Sequence, residues 1–139
     1  MTLEQIFLTA ENRLFNLGWG PWLRDPRVQI RERSDELLEN LQEHCQALEG
    51  HRSALADAQV RWDECVLKST MLSSKVEASV FNKESDNAWR HALELDQSRR
   101  SADEERERVY RLEQKVRREE ASIAQIENEL ARLQEKLYS

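Results

Sequence analysis

The chain has 139 residues, 35% of them charged and 6% aromatic, with a formal net charge of −6. That length suits one small domain, and the composition suits a thin helical assembly with a narrow apolar seam rather than a globule with a wide core. The acidic balance argues against a nucleic-acid binder, and no apolar run approaches the roughly 20 residues that span a bilayer.

The N-terminus lacks the basic leader and continuous apolar stretch of a secretory signal. From Met1 to Leu17 the apolar residues Leu3, Ile6, Phe7, Ala10, Leu14 and Leu17 recur at spacings of three and four, with Phe15 beside them. That spacing predicts an amphipathic helix. Thr2 is its expected N-cap, and Gly18 can end it in a left-handed turn. A junction follows, Gly18-Trp19-Gly20-Pro21-Trp22-Leu23-Arg24, holding two of the four tryptophans. Asp25-Pro26 then reads as an N-cap followed by proline at the first helical position.

Beyond Pro26 the pattern is heptad. Leu41, Leu48, Leu55 and Trp62 recur every seven residues, and Val76 continues the register past a weak Ser69. Leu38, Cys45, Val66 and Val80 are the expected companion seam, and Trp62 is expected in the core. Later, Leu95, Ala102, Val109, Val116, Ile123, Leu130 and Leu137 hold one register, with Leu112, Ile126 and Leu133 as its companion. Sustained sevens predict coiled coil.

The turn is expected in Phe81-Asn82-Lys83-Glu84-Ser85-Asp86-Asn87, where Asn82, Ser85 and Asp86 all suit an N-cap. It gives matched arms, about 26–81 and 85–138, each roughly 80 Å long at 1.5 Å per residue. A break at Gly50 is the rival, but one glycine costs a helix only about 1 kcal/mol. Trp89, just past the turn, is expected to pack beneath it or to meet a partner. The charged stretch Arg99–Glu120 reads as a solvated face with pairs at i,i+4. The fold class is therefore all-α: an N-terminal amphipathic helix with its junction (1–24), then a long antiparallel coiled-coil hairpin (25–139).

Chemistry is scarce in this sequence. There is no phosphate-binding loop, nucleophile elbow or Cys-x-x-Cys pair. Cys45 and Cys65 have no disulfide-framework spacing, which suits a reduced cytosolic setting. His44, Cys45 and His51 resemble a metal cluster only superficially, because adjacent His44 and Cys45 point in different directions. Cys45 is expected on the seam as a small hydrophobe. No enzyme, metal or cofactor is expected.

The segment before Pro26 carries the functional signal. It can dock on the hairpin or lie on a membrane surface. Trp19 and Trp22 favour the membrane, since tryptophan prefers the headgroup level. Charge favours neither, because Glu4 and Glu11 balance Arg13 and Arg24. The residues alone leave both readings open.

The order of parts resembles the family of phage shock protein A and the vesicle-inducing protein in plastids, bacterial and plastid relatives of the ESCRT-III membrane-remodelling proteins. Asp25-Pro26 is similar to the family's Asp-Pro at the start of the first hairpin helix. Arg61-Trp62-Asp63-Glu64 is similar to its basic-Trp-acidic segment. Glu84-Ser85-Asp86-Asn87-Ala88-Trp89-Arg90-His91-Ala92-Leu93 resembles its acidic turn and the Leu-Ala-Arg-x-Ala-Leu after it. Ile126-Glu127-Asn128-Glu129-Leu130 suits the end of its hairpin. The resemblance implies a cytoplasmic, membrane-stress scaffold, peripheral on the inner face of the membrane. It would bind lipid through the first helix, form homo-oligomers and, in some members, hold an AAA+ regulator. The competing expectation is a soluble coiled-coil module, such as the short hairpin stalks that engage an export ATPase.

Overall fold

The computed structural model describes residues 2–4 and 25–138. Two long helices, α1 (Pro26–Phe81) and α2 (Ser85–Tyr138), pack against each other, and there is no strand among the described residues. Leu3 and Glu4 are helical. The remainder of the expected N-terminal helix and its tryptophan junction lies outside the described residues.

Both helix starts and the end of α1 have identifiable causes. The Asp25 carboxylate accepts the Arg27 main-chain N–H at 2.9 Å, and its carbonyl accepts that of Val28 at 3.0 Å. Asp25 is thus the N-cap and Pro26 the first helical residue, where a missing N–H leaves nothing unpaired. Gly50 lies inside α1 with nothing near the position a Cβ would occupy, and the helix runs through it. Fifty-five other residues hold that helix, so one glycine does not break it.

The turn is a Schellman closure. Glu84 N–H donates to the Ser79 carbonyl at 2.8 Å and Lys83 N–H to that of Val80 at 3.1 Å. This pair of bonds satisfies the last carbonyls of α1 and requires a left-handed residue between them. Lys83 takes that role, with φ 60°. Glycine usually does so, and a lysine there costs backbone strain of about 1 kcal/mol. The expected N-caps Asn82, Ser85 and Asp86 are passed over. The Glu84 carbonyl accepts from Ala88 N–H at 2.9 Å, which makes Glu84 the N-cap of α2.

The chain divides into two compact units. The first comprises Met1–Cys45 and Ala121–Ser139. Its seam is mostly aliphatic: Val28 and Leu37 are buried, and Leu41, Ile123, Ile126, Leu130, Leu133 and Leu137 are half-buried. Arg33 bridges its two helices, its Nε 3.0 Å from the Glu129 carboxylate, while its Nη1 holds Glu36. Hydrogen bonds to Glu129 first, and then to Glu36, raise the Arg33 pKa. Near the start of α1, Arg31 donates to Glu4 at 3.1 Å.

The second unit, Gln46–Glu120, contains the turn. Leu48, Ala58, Leu72, Leu95, Val109 and Val116 are buried, with Leu55, Trp62, Val76 and Leu112 half-buried. Solvated pairs line the outer face of α2, including Asp96–Arg100 and Glu107–Arg111 at i,i+4.

The companion seam of α1 differs from the expectation. Leu38, Cys45, Val66 and Val80 are exposed. The covered residues are their neighbours: Leu37, His44, His51, Ala58, Cys65, Leu72 and Ser79. The leucines at steps of seven admit a partner either three residues later or four. Counting apolar side chains selects the second, because Val66 and Val80 are the more apolar alternatives to Cys65 and Ser79. Packing selects the first, and so seats small and polar residues inside. Cys45 is accordingly exposed rather than seated on the seam.

Candidate functional site

The polar seam residues of the second unit come first. Ser69 and Ser98 are on facing helices, with their Oγ atoms 2.9 Å apart. Each hydroxyl also reaches the Cys65 carbonyl, at 2.8 and 3.2 Å; with one proton apiece, one serine donates to that carbonyl while the other donates to its facing hydroxyl. Ser98 is buried, so these bonds satisfy groups that water does not reach. The arrangement ties the helices together; its one acceptor beyond the two hydroxyls is a main-chain carbonyl, which cannot serve as a base. Glu105 is similarly enclosed, its side chain 14% exposed, and it holds Arg108 at 2.7 Å and Arg61 of the facing helix at 3.4 Å. His91 is half-buried, and its Nδ1 is shielded and unpartnered. Sequence reasoning missed Ser98, Glu105 and His91 as seam residues. The step of seven through His91, Ser98, Glu105 and Leu112 was the available signal.

The expected seam residues lie as follows. Leu48, Leu95, Val109 and Val116 are buried; Leu41, Leu55, Trp62, Ile123 and Leu130 are half-buried. Asp25 and Pro26 form the cap of α1. Of the expected membrane-binding set, Leu3 is exposed. Ile6, Phe7, Ala10, Leu14, Phe15, Leu17, Trp19 and Trp22 lie outside the described residues. Among the described residues, no group of three His, Cys, Asp or Glu side chains is placed to hold a metal ion.

The surface near the turn was not anticipated. Phe81 is 86% exposed and Trp89 69%, with Val80 and Leu93 also exposed. Trp89 therefore does not pack beneath the turn. Two open grooves lie between the helices of this unit. One, of about 500 Å³, is lined by Val66, Ser69, Thr70, Ser73, Ser74, Arg99, Ala102 and Asp103. The other, of about 510 Å³, runs from Val76 and Val80 across Lys83 and Glu84 to Ala88, Trp89 and Ala92. Small side chains at the seam leave these furrows open. Neither encloses a small molecule, but both suit a side chain from another protein surface.

Comparisons with protein-family models, with curated proteins and with solved structures give no match to this chain.

Proposed function

We propose that this chain is a non-enzymatic scaffold that lies on a membrane surface through its N-terminal segment and uses the hairpin for association with itself or with a regulator. The observation that carries the reading is the apolar stripe Leu3, Ile6, Phe7, Ala10, Leu14 and Leu17, followed by Trp19 and Trp22. Such a stripe next to headgroup-seeking tryptophans is the pattern of an interfacial helix. The resemblance to phage shock protein A supports the same reading. It implies a cytoplasmic protein, peripheral on the inner membrane face, in a membrane-stress or remodelling role with an AAA+ regulator among its partners. No helix among the described residues is long and apolar enough to cross a membrane.

The magnitudes indicate how such a segment binds. Burying a Leu, Ile or Phe side chain is worth about 1.5–3 kcal/mol, whereas Glu4 and Glu11 offset Arg13 and Arg24. Burial of the stripe, not charge, would dominate, and salt would weaken binding little. Co-sedimentation with liposomes is the test, read with tryptophan fluorescence. Full-length protein is expected to pellet with the lipid, and protein lacking residues 1–24 to stay in solution. Failure of the full-length protein to bind, or equal binding by the shortened one, overturns the reading.

The exposed apolar side chains near the turn favour a second reading, a soluble protein-interaction module of the export-ATPase stalk type. Recovery of a hexameric ATPase in a pull-down, without dependence on lipid, would favour it over the first.

A further inference from the structure

We propose that the turn end of the second unit is a self-complementary surface that pairs with the same surface of a second copy, with α1 antiparallel to α1. The proposal rests on the self-association part of the function proposed above and is independent of its membrane part.

The two grooves lie on one side of the helix pair. Val66 and Ser73 of the first and Val80 of the second recur at steps of seven along α1, and Ala92 and Arg99 do so along α2. Residues seven apart share a helical face. The apolar and charged groups on this side are arranged about its middle. Val66 and Val80 lie seven residues either side of Ser73. Arg99 lies seven residues after Ala92, and Glu84 eight before it. Asp103 and Lys83 lie further out on the same two sides.

A two-fold axis through the level of Ser73 and Ala92 therefore sets Val66 against the partner's Val80. It sets Arg99 against the partner's Glu84, and Asp103 against the partner's Lys83. Each charge meets its opposite, and each valine meets a valine. One copy offers a cation and an anion at each end, which is what an isologous interface requires.

The surface is also one that the hairpin leaves uncovered. Of the large apolar side chains exposed in this unit, Val66, Val80 and Trp89 line the two grooves. A patch two helices wide and about 21 Å long, the rise from Val66 to Val80, would bury on the order of 800 Å² in total. That is below the standard interface, so the dimer should be weak and its population should depend on concentration.

Sedimentation equilibrium of the full chain, without lipid and over roughly 1 to 300 micromolar, tests this dependence. A monomer–dimer equilibrium is expected. Val80→Glu should weaken it more than tenfold, and Arg99→Glu or Glu84→Arg about tenfold each. All three positions are solvent-exposed, and far-UV circular dichroism checks that each variant keeps its helix content. Mixing the Arg99→Glu and Glu84→Arg chains restores the opposite-charge pairs in a heterodimer, so recovery of dimer on mixing is expected.

A monomer at all concentrations, a dimer that Val80→Glu leaves intact, or no recovery on mixing overturns the proposal. So does loss of liposome binding by Val80→Glu with no change in self-association, because lipid would then be the occupant. A monomer that still pellets with liposomes through residues 1–24 leaves the membrane reading standing. A dimer that fails to pellet does the reverse.

Discussion

The two units solve the same packing problem with opposite materials. In the first, Leu37 and Val28 are buried beside half-buried Leu41, Ile126 and Leu130, and the seam is mostly aliphatic, with Ser34 and His44 its polar members. In the second, Ala58, Cys65, Ser69, Ser79, Ser98 and Glu105 occupy seam positions, while Val66, Met71, Val80, Phe81, Trp89 and Leu93 face outward. The first unit is built to hold two helices together. The second gives up part of that cohesion and presents apolar surface instead. Exposed apolar groups of this kind are available for contact with another surface.

The strongest way to sharpen this contrast is to excavate each seam in turn. Leu37→Ala and Leu72→Ala remove side chains that are 2% and 4% exposed. Each is expected to cost about 2–4 kcal/mol. Leu37 should cost more, by about 1 kcal/mol, because its surroundings are more apolar. Thermal unfolding followed by circular dichroism measures both, and a larger loss at Leu72 would break the contrast.

The next effect should have the opposite sign. His91→Leu removes the unpartnered Nδ1 from the second seam and is expected to stabilise the protein by about 1–2 kcal/mol. A loss of stability would mean that the imidazole finds a partner in solution. Ser98→Ala deletes the hydroxyl that contacts both Ser69 and the Cys65 carbonyl, and should cost about 1 kcal/mol. A neutral result would show that the polar layer contributes shape rather than cohesion. Smallest is Gly50→Ala. The added Cβ meets nothing, so the change should stabilise α1 by about 0.5–1 kcal/mol. A destabilised helix would mean that Gly50 is packed against something the isolated chain lacks.

Much of the fold could be read from residues that carry strong local physics. Leu41, Leu48 and Leu55 at steps of seven announce a seam, and Asp25-Pro26 announces a helix start, because capping and periodicity act over a few residues. The register of the companion seam could not be read the same way. Leu37 and Leu38 are adjacent and equally apolar, and the choice between Val66 and Cys65, or between Val80 and Ser79, is made by the facing helix. The rule that apolar residues go inside fails at these positions of the second unit, where Val66 and Val80 stay outside while Cys65 and Ser79 are covered. The turn chemistry was hidden for a related reason. Three good N-cap residues surround the turn, yet the Schellman bonds at Ser79 and Val80 force the left-handed residue to be Lys83. The surface near Val80 and Trp89 follows from the register, so it was out of reach until the register was known.

The closure at Lys83 also governs how such a molecule can change length. Three residues, Asn82 to Glu84, join the helices, and they leave no slack to absorb an offset between the arms. A single residue gained in α1 would rotate every position before it by about 100° and turn Leu72 or Leu48 toward water. Insertions and deletions are tolerable only as whole heptads, taken from both arms at the same level. The turn is a ruler: this hairpin can be lengthened or shortened in steps of fourteen residues, two heptads at a time, and hardly otherwise.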